Sequence, residues 1–312
     1  EHVSAGAALA EKSAIGSLPL MKALTRSEYF SSIASPSGGD VGTNAELKAL
    51  SIRGKASGHE IFRQGFYAPF DGGGQHYRLS LSACPLGSSG NDFTQVAPDA
   101  GTGCWLAAPA PANGYDVRAA GAKCDAYVSY NPGFPGSDQA SINSGSTTVT
   151  VSNYTFSSAD IGKSISIASA SGANITFSAN VILVNNHQAT LSAAASATVS
   201  NVNFSLGTDD TAAIQKVIGE AARSPNSRLV SLPPNGVCGI KKPGLKITAD
   251  NVALNGSQFG RDVYSTYSGV RRVTSGLAWV GGPNGAVLSV QPATATASTE
   301  PITGVKIQNL GI

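Results

Sequence analysis

The side chains best suited to chemistry fall in four groups. The excursion SQFGRDVYSTYSGVRRVTS carries Tyr264, Tyr267, Arg271 and Arg272. Aromatic faces stack on sugar rings and Arg forks onto carboxylated sugars, so these four are the candidate carbohydrate contacts. The plainer reading of the same stretch, a solvated or subunit-contact loop, weighs more. Asp209 and Asp210 stand side by side after Thr208 in GTDDTAAIQKVIGEAAR. Adjacent acids can mark a metal or catalytic site, but at a helix start the capping role is the stronger one: Thr208 or Asp209 caps the first turn, and both acids suit the positive end of the helix dipole. Four cysteines (Cys84, Cys104, Cys124, Cys238) form no C-x-x-C pair, and His2, His59, His76 and His187 have no ligand spacing, so no metal site is expected. Buried or free thiols are the expected state. Strand-to-strand disulfides, which would imply an oxidising compartment, are the minority reading, with Cys84 and Cys104, flanking one Gly-rich loop, the leading pair. The run Asp71-Gly72-Gly73-Gly74 could cradle phosphate only before a helix N-terminus; strand-like sequence follows it, so it is read as a turn.

The elements that would hold these groups are short strands. The chain has 312 residues, of which 41% are hydrophobic and 13% charged, about half the usual charged share. With 36 Gly, that profile favours strands and turns over helices. A net charge of +2 argues against an electrostatic nucleic-acid binder, and no apolar run reaches the ~18 residues of a membrane-spanning helix. Glycine has no three-residue period, which excludes collagen. The sequence opens on Glu1 and its one methionine is Met21, which is read as a start lying upstream, with a removed leader left open.

Residues 1–35 read as interrupted Ala- and Ser-rich helix, either a frayed terminus or an anchor that orders on a partner, and SPSGGDVG reads as a linker. Thr43 and Glu46 have capping-box spacing ahead of a short helix to about Leu50. Residues 59–108 read as a small β module: Ile61, Phe62, Phe66 and Tyr67 in one strand, and Tyr77, Leu79 and Leu81 alternating in the next. Residues 141–206 read as a small antiparallel barrel or sandwich, with Ile165 and Ile167 alternating with serines. Gly207–Arg223 is the one strong helix, with Ile214, Val217, Ile218 and Ala221 on one face. From Ser227 onward, short β runs are separated by Gly, Pro, Asn or Ser; the Leu288 and Ile307 regions lie about one solenoid repeat apart, which suggests a winding chain.

Three stretches together resemble the phage tailspike and depolymerase branch of the pectate-lyase-like superfamily: VRAAGAKCD (Val117 to Asp125), GTDDTAAIQKVIGEAA, and RLVSLPPNGVCGI (Arg228 to Ile240), where Cys238 replaces a commoner aromatic. FSSADIGKSISI and the 59–108 module are also similar to parts of phage tail proteins, so the resemblance covers roughly residues 59–312. It implies a mainly β chain: a small N-terminal helical segment, β modules, then the capped start of a right-handed parallel β-helix. The implied division is an anchor and linker over 1–58, a β module over 59–116, a β-helix entrance over 117–125 and 207–312 plugged by the helix 208–223, and an inserted antiparallel module over 126–206.

The resemblance further implies a homotrimer, attachment to tail or baseplate proteins through residues 1–58, host surface polysaccharide as ligand, and a place on the virion tail. Cleavage of a polysaccharide needs paired carboxylates or a base beside an acidified carbonyl. From 228 to 312 the only acids are Asp250, Asp262 and Glu300, on separate segments, so no catalytic residue is assigned and no cofactor is expected. The chain reads as the N-terminal part of a longer protein whose groove lies beyond it. Two other functions compete: a secreted bacterial polysaccharide lyase or hydrolase, and a non-catalytic carbohydrate-binding or adhesive module.

Overall fold

The computed structural model describes residues 39–87, 89–108, 114–129, 138–170, 172, 176–225, 227–256, 275–282, 285–291 and 302–310. The chain divides into two units, Glu1–Gly39 and Asp40–Ile312, and all described elements belong to the second. The helices expected before Ser35 lie outside the described residues.

The first module opens with helix α1 (Asn44–Ala49). The Thr43 hydroxyl accepts from the Glu46 N–H, and the Glu46 carboxylate accepts from the Gly42 N–H, so both ends of the capping box close. Strands β1 (Glu60–Arg63), β2 (Gln75–Ser80), β3 (Gln95–Val96) and β4 (Cys104–Ala107) form an antiparallel sheet in the order β1-β2-β4-β3. Its core joins Leu47 and Ile52 to Ile61, Tyr77, Leu79, Val96 and Trp105. Val41, Leu47 and Ile52, from the segment before 58, pack into this core. Phe66 and Tyr67 lie past the end of β1, in the loop to β2.

Arg63 is fully buried on β1, with no carboxylate within ion-pair distance among the described residues. Its guanidinium donates to Asn44 Oδ1 and to the carbonyls of Gly73 (2.9 Å) and Ala119 (2.7 Å), and it lies over the Phe66 and Tyr77 rings. The Ala119 contact ties this module to the next segment of chain. Arg63→Met keeps the volume but strands three acceptors, so a loss of about 3 kcal/mol is expected in urea unfolding. A loss below about 1 kcal/mol would mean those carbonyls find other donors.

Next come β5 (Tyr115–Asp116) and a 3-10 turn, Val117–Ala120, and then a separate antiparallel module. Its strands are β6 (Tyr127–Val128), β7 (Ala140–Ile142), β8 (Thr148–Val151), β9 (Ser164–Ile167), β10 (Phe177–Asn185), β11 (Gln188–Leu191), β12 (Val199–Val202) and β13 (Phe204–Gly207). The order is β12-β7-β8-β11-β10-β9-β13-β6, an open sheet. Long β10 pairs with β9 through its first half and with β11 through its second, across a register shift between Val181 and Leu183. That bulge bends the sheet over a core containing Val149, Ile165, Ile167, Phe177, Leu191 and Phe204. The alternating serines do not face water. All four β9 residues are buried, and Ser166 on β9, Ser178 on β10 and Ser205 on β13 donate to the carbonyls of Gly281, Val280 and Trp279.

Helix α2 (Thr211–Arg223) follows, burying Ile214, Val217, Ile218 and Ala221. The remaining strands are β14 (Leu229–Ser231), β15 (Gly236–Ile240), β16 (Leu245–Ile247), β17 (Ala253–Asn255), β18 (Ser275–Trp279), β19 (Leu288–Val290) and β20 (Lys306–Gln308). All their pairings are parallel: β5-β14-β17-β20 in one sheet, β15-β18 in a second, β16-β19 in a third. Three consecutive strands therefore enter three different sheets, and the next three return to the same sheets in the same order. Buried Val230, Ile240, Leu245, Ile247, Leu254 and Leu277 point into one core with the apolar face of α2. The Leu288 and Ile307 regions, about one repeat apart in sequence, enter different sheets: Leu288 pairs with Leu245, and Ile307 with Leu254. The chain is mainly β, with its sheets left open.

Candidate functional site

The densest chemistry lies where the antiparallel module leaves and rejoins the parallel strands. Asp125 bridges to Val237 and Asp209 to Gly239, both in parallel, so β15 is flanked by the two ends of the 126–207 segment. Asp125 accepts from the Thr208 backbone N–H (2.9 Å) and hydroxyl (3.1 Å), closing that doorway.

The three expected helix-capping residues take three different tasks. Thr208 is held by Asp125 and does not cap. Asp209 accepts from the Thr211 N–H (3.1 Å), at the first residue of α2. Asp210 occupies the N-cap position, but its side chain makes no helix cap. Its carboxylate turns away and accepts from the N–H groups of Lys123 (2.7 Å), Cys124 (2.9 Å) and Gly239 (3.1 Å). Asp210 is 1% exposed and so pins the helix start to two neighbouring chain segments. These N–H groups lie far from Asp210 in sequence, which is why local capping rules point the wrong way.

Burial pushes the Asp210 carboxyl up to about 6, against the pull of its three N–H donors. In the unfolded chain it returns to 3.8, so between those values the folded state holds the extra proton and stability falls as pH rises. Asp71 and Asp160 work in the opposite sense. Burial raises each, but hydrogen-bond donors win and hold both below the ordinary value. Their contribution is complete above about pH 4 and is lost as pH falls further. Thermal melts from pH 3 to 8 should therefore show greatest stability near pH 4 to 5, with about 3 kcal/mol lost by pH 7. Asp210→Asn should flatten the upper limb. A rise in stability from pH 4 to 7 would contradict the assignment.

All four cysteines are paired, which overturns the expectation of free thiols. Cys84 bonds to Cys104, and Cys124 to Cys238. Cys124 precedes Asp125 and Cys238 follows Val237, so the parallel bridge between Asp125 and Val237 makes them neighbours. The Cys84–Cys104 bond is the pair that flanks the Gly-rich loop, whereas nothing in the sequence marked Cys124 and Cys238 as partners. The Sγ atoms of Cys124 and Cys238 and a carboxylate oxygen of Asp210 lie within 4.8 Å of one another.

A second polar cluster belongs to the antiparallel module. Lys163 bridges Asp125 (3.2 Å) and Asp160 (3.1 Å), and the Tyr154 hydroxyl donates to Asp160. Tyr127 donates to Asp138, with its ring against that of Tyr154. Burial raises Asp138. The proton affinities of Asp138 and Asp160 are thus driven apart, as an acid and a base would require. However, Asp160 is buried and also accepts from the Ser157 N–H, which makes it a structural clasp for the turn it ends.

The glycine run closes a rigid loop. Asp71 accepts from the N–H groups of Phe66, Tyr67, Ala68 and Gly73, and a Cβ on Gly72 would strike the Arg118 guanidinium at 2.2 Å. The loop presents Tyr67 (56% exposed) and Phe70 (38%), with Lys123 Nζ over the Tyr67 ring at 5.0 Å. Tyr264, Tyr267, Arg271 and Arg272 lie outside the described residues.

No family model and no curated protein matches this sequence. Among solved structures, the enzymatically active domain of tailspike protein 2 of bacteriophage CBA120 is similar over 86% of this chain and 26% of that one, with 11% identity and a TM-score of 0.35. The chain thus spans about a quarter of the length of the structure it matches (26%). A likeness this low fixes neither fold nor function.

Proposed function

We propose that the chain is the neck of an elongated, polysaccharide-recognising spike of the phage tailspike kind. The parallel strands begin a right-handed β-helix that α2 plugs, and the two antiparallel modules stack ahead of it. The observation that carries this reading is the recurrence of β14, β15 and β16 by β17, β18 and β19 in the same three parallel sheets, with α2 packed on the first round. An uncovered first round would expose unpaired backbone and apolar side chains, and an amphipathic helix removes both liabilities. On this reading residues 1–58 attach the spike to tail or baseplate proteins, three copies assemble, and Tyr264, Tyr267, Arg271 and Arg272 contact host surface glycan. Chemistry on the glycan belongs to the parent protein, since no catalytic pair is assigned among the described residues.

Immunogold labelling of purified virions with an antibody raised to this chain tests the reading. Decorated tails are expected; label confined to free secreted protein would overturn it. Light scattering should give three copies, and a monomer would remove the trimer. On a glycan array, Tyr267→Ala should weaken any signal of the parent chain. A second reading, a secreted polysaccharide lyase or hydrolase with accessory modules, is favoured by one observation: both cysteine pairs are oxidised, as an extracytoplasmic protein would have them.

A further inference from the structure

The loop between β1 and β2 holds a run of apolar residues in water: Tyr67, Ala68, Pro69 and Phe70 are all exposed. Such a run is unfavourable unless something covers it. The loop is not free to fold it away. The Asp71 carboxylate clasps it through the N–H groups of Phe66, Tyr67, Ala68 and Gly73, and the Tyr67 hydroxyl donates to the Gly121 carbonyl (3.0 Å). The Phe66 ring meets the Tyr67 ring edge-on at 4.8 Å and is seated on Gly121, where a Cβ would come within 2.8 Å of it. Phe70 has a φ of 66°, a left-handed conformation that a bulky residue adopts only under constraint. The aromatic tip is therefore built in place.

Two cations border it. Lys123 is exposed, with its Nζ over the Tyr67 ring at 5.0 Å and its backbone N–H fixed by Asp210. No acid pairs with its ammonium among the described residues. The Arg118 guanidinium lies against Gly72 and binds Asp116 through Nε and Nη2, so its Nη1 has no acceptor among the described residues. The neighbouring acids are engaged: Asp71 by the loop, Asp116 by Arg118, and Glu46 by the Gly42 N–H. We propose that this loop is a binding site for a carboxylated sugar ring, whose C–H face lies on Tyr67 and Phe70 and whose carboxylate meets Lys123 and Arg118 Nη1. The electron-rich aromatic face suits the C–H groups, and the two cations suit the acid. A neutral sugar would gain the first contact and leave both cations unmatched. The inference rests on the reading of the chain as part of a polysaccharide-recognising spike. It adds to that reading an acidic class of glycan and a site on the first module, besides positions 264–272.

The full chain should be titrated calorimetrically with a glucuronate-containing tetrasaccharide and with its carboxyl-reduced, neutral counterpart. The acidic form is expected to bind at least about tenfold more tightly. Tyr67→Ala and Lys123→Gln should each weaken it at least about tenfold, while Tyr67→Phe, which keeps the ring, should stay within about threefold of the wild type. Added salt should weaken the wild type more than Lys123→Gln. Near-ultraviolet circular dichroism of Lys123→Gln and Tyr67→Phe should match that of the wild type. No binding, equal affinity for the two tetrasaccharides, or polyglutamate bound as tightly as the acidic sugar would each overturn the site. Binding that survives Tyr67→Ala and Lys123→Gln but is lost in Tyr267→Ala would overturn it too and leave the spike reading standing. Unlabelled virion tails beside Tyr67-dependent binding of the acidic sugar would sink that reading and keep the site.

Discussion

Replacing Cys124 and Cys238 together by Ala is expected to cost about 4 to 5 kcal/mol, measured by urea unfolding under non-reducing conditions. The bond spans a sequence separation of 114 residues, so its removal frees a long loop in the unfolded chain. The Cys84–Cys104 bond spans 20, and its removal should cost about 3 kcal/mol. The ordering matters more than either value, because both double variants lose two sulfurs and differ chiefly in the loop they release. The larger loss should also be local: hydrogen exchange should quicken first in β15, which carries Cys238, and in the segment around Cys124, while the core around Ile165 and Leu191 stays protected. If the long-range pair costs no more than the short one, the junction is fastened by something other than the disulfide.

The second large effect falls on Asp210→Ala. Three backbone N–H groups lose their acceptor, those of Cys124 and Gly239 in buried surroundings and that of Lys123 in partly buried ones. Each stranded donor costs about 1–3 kcal/mol, while relief of the buried charge returns part of that sum at neutral pH. A net loss of about 4 kcal/mol is expected at pH 7, rising toward pH 5, where the wild-type carboxyl takes up its proton. Asp209→Ala removes one partly buried cap bond, from the Thr211 N–H, and should cost about 1 kcal/mol. Equal losses from the two substitutions would return Asp210 to an ordinary capping role.

The contrast between these neighbouring acids shows how much was legible in the sequence. The apolar stripe of α2, the Thr43–Glu46 capping box and the alternation in the antiparallel module are local patterns, and local patterns survive as read. Short apolar runs divided by turn residues likewise identify a winding chain, though not the pairing of Leu245 with Leu288. What was hidden is what distant segments decide. The Asp210 side chain finds amides that adjoin it only after the chain has gone out through the antiparallel module and come back. Ser166, Ser178 and Ser205 look like a solvent face until the Trp279–Gly281 carbonyls arrive. Arg63 carries no sequence mark of burial, because its acceptors are carbonyls and one amide rather than an acid.

The 126–207 segment leaves and returns through a single doorway, where Thr208 meets Asp125 and a Cβ on Gly207 would touch Ala126. A segment joined this way is an insertion that folds around a core of its own rather than around the parallel strands it interrupts. It is also held sideways, by the hydroxyls of Ser166, Ser178 and Ser205 on the Trp279–Gly281 backbone, so any other segment seated in its place would have to bring hydroxyls of its own to those carbonyls.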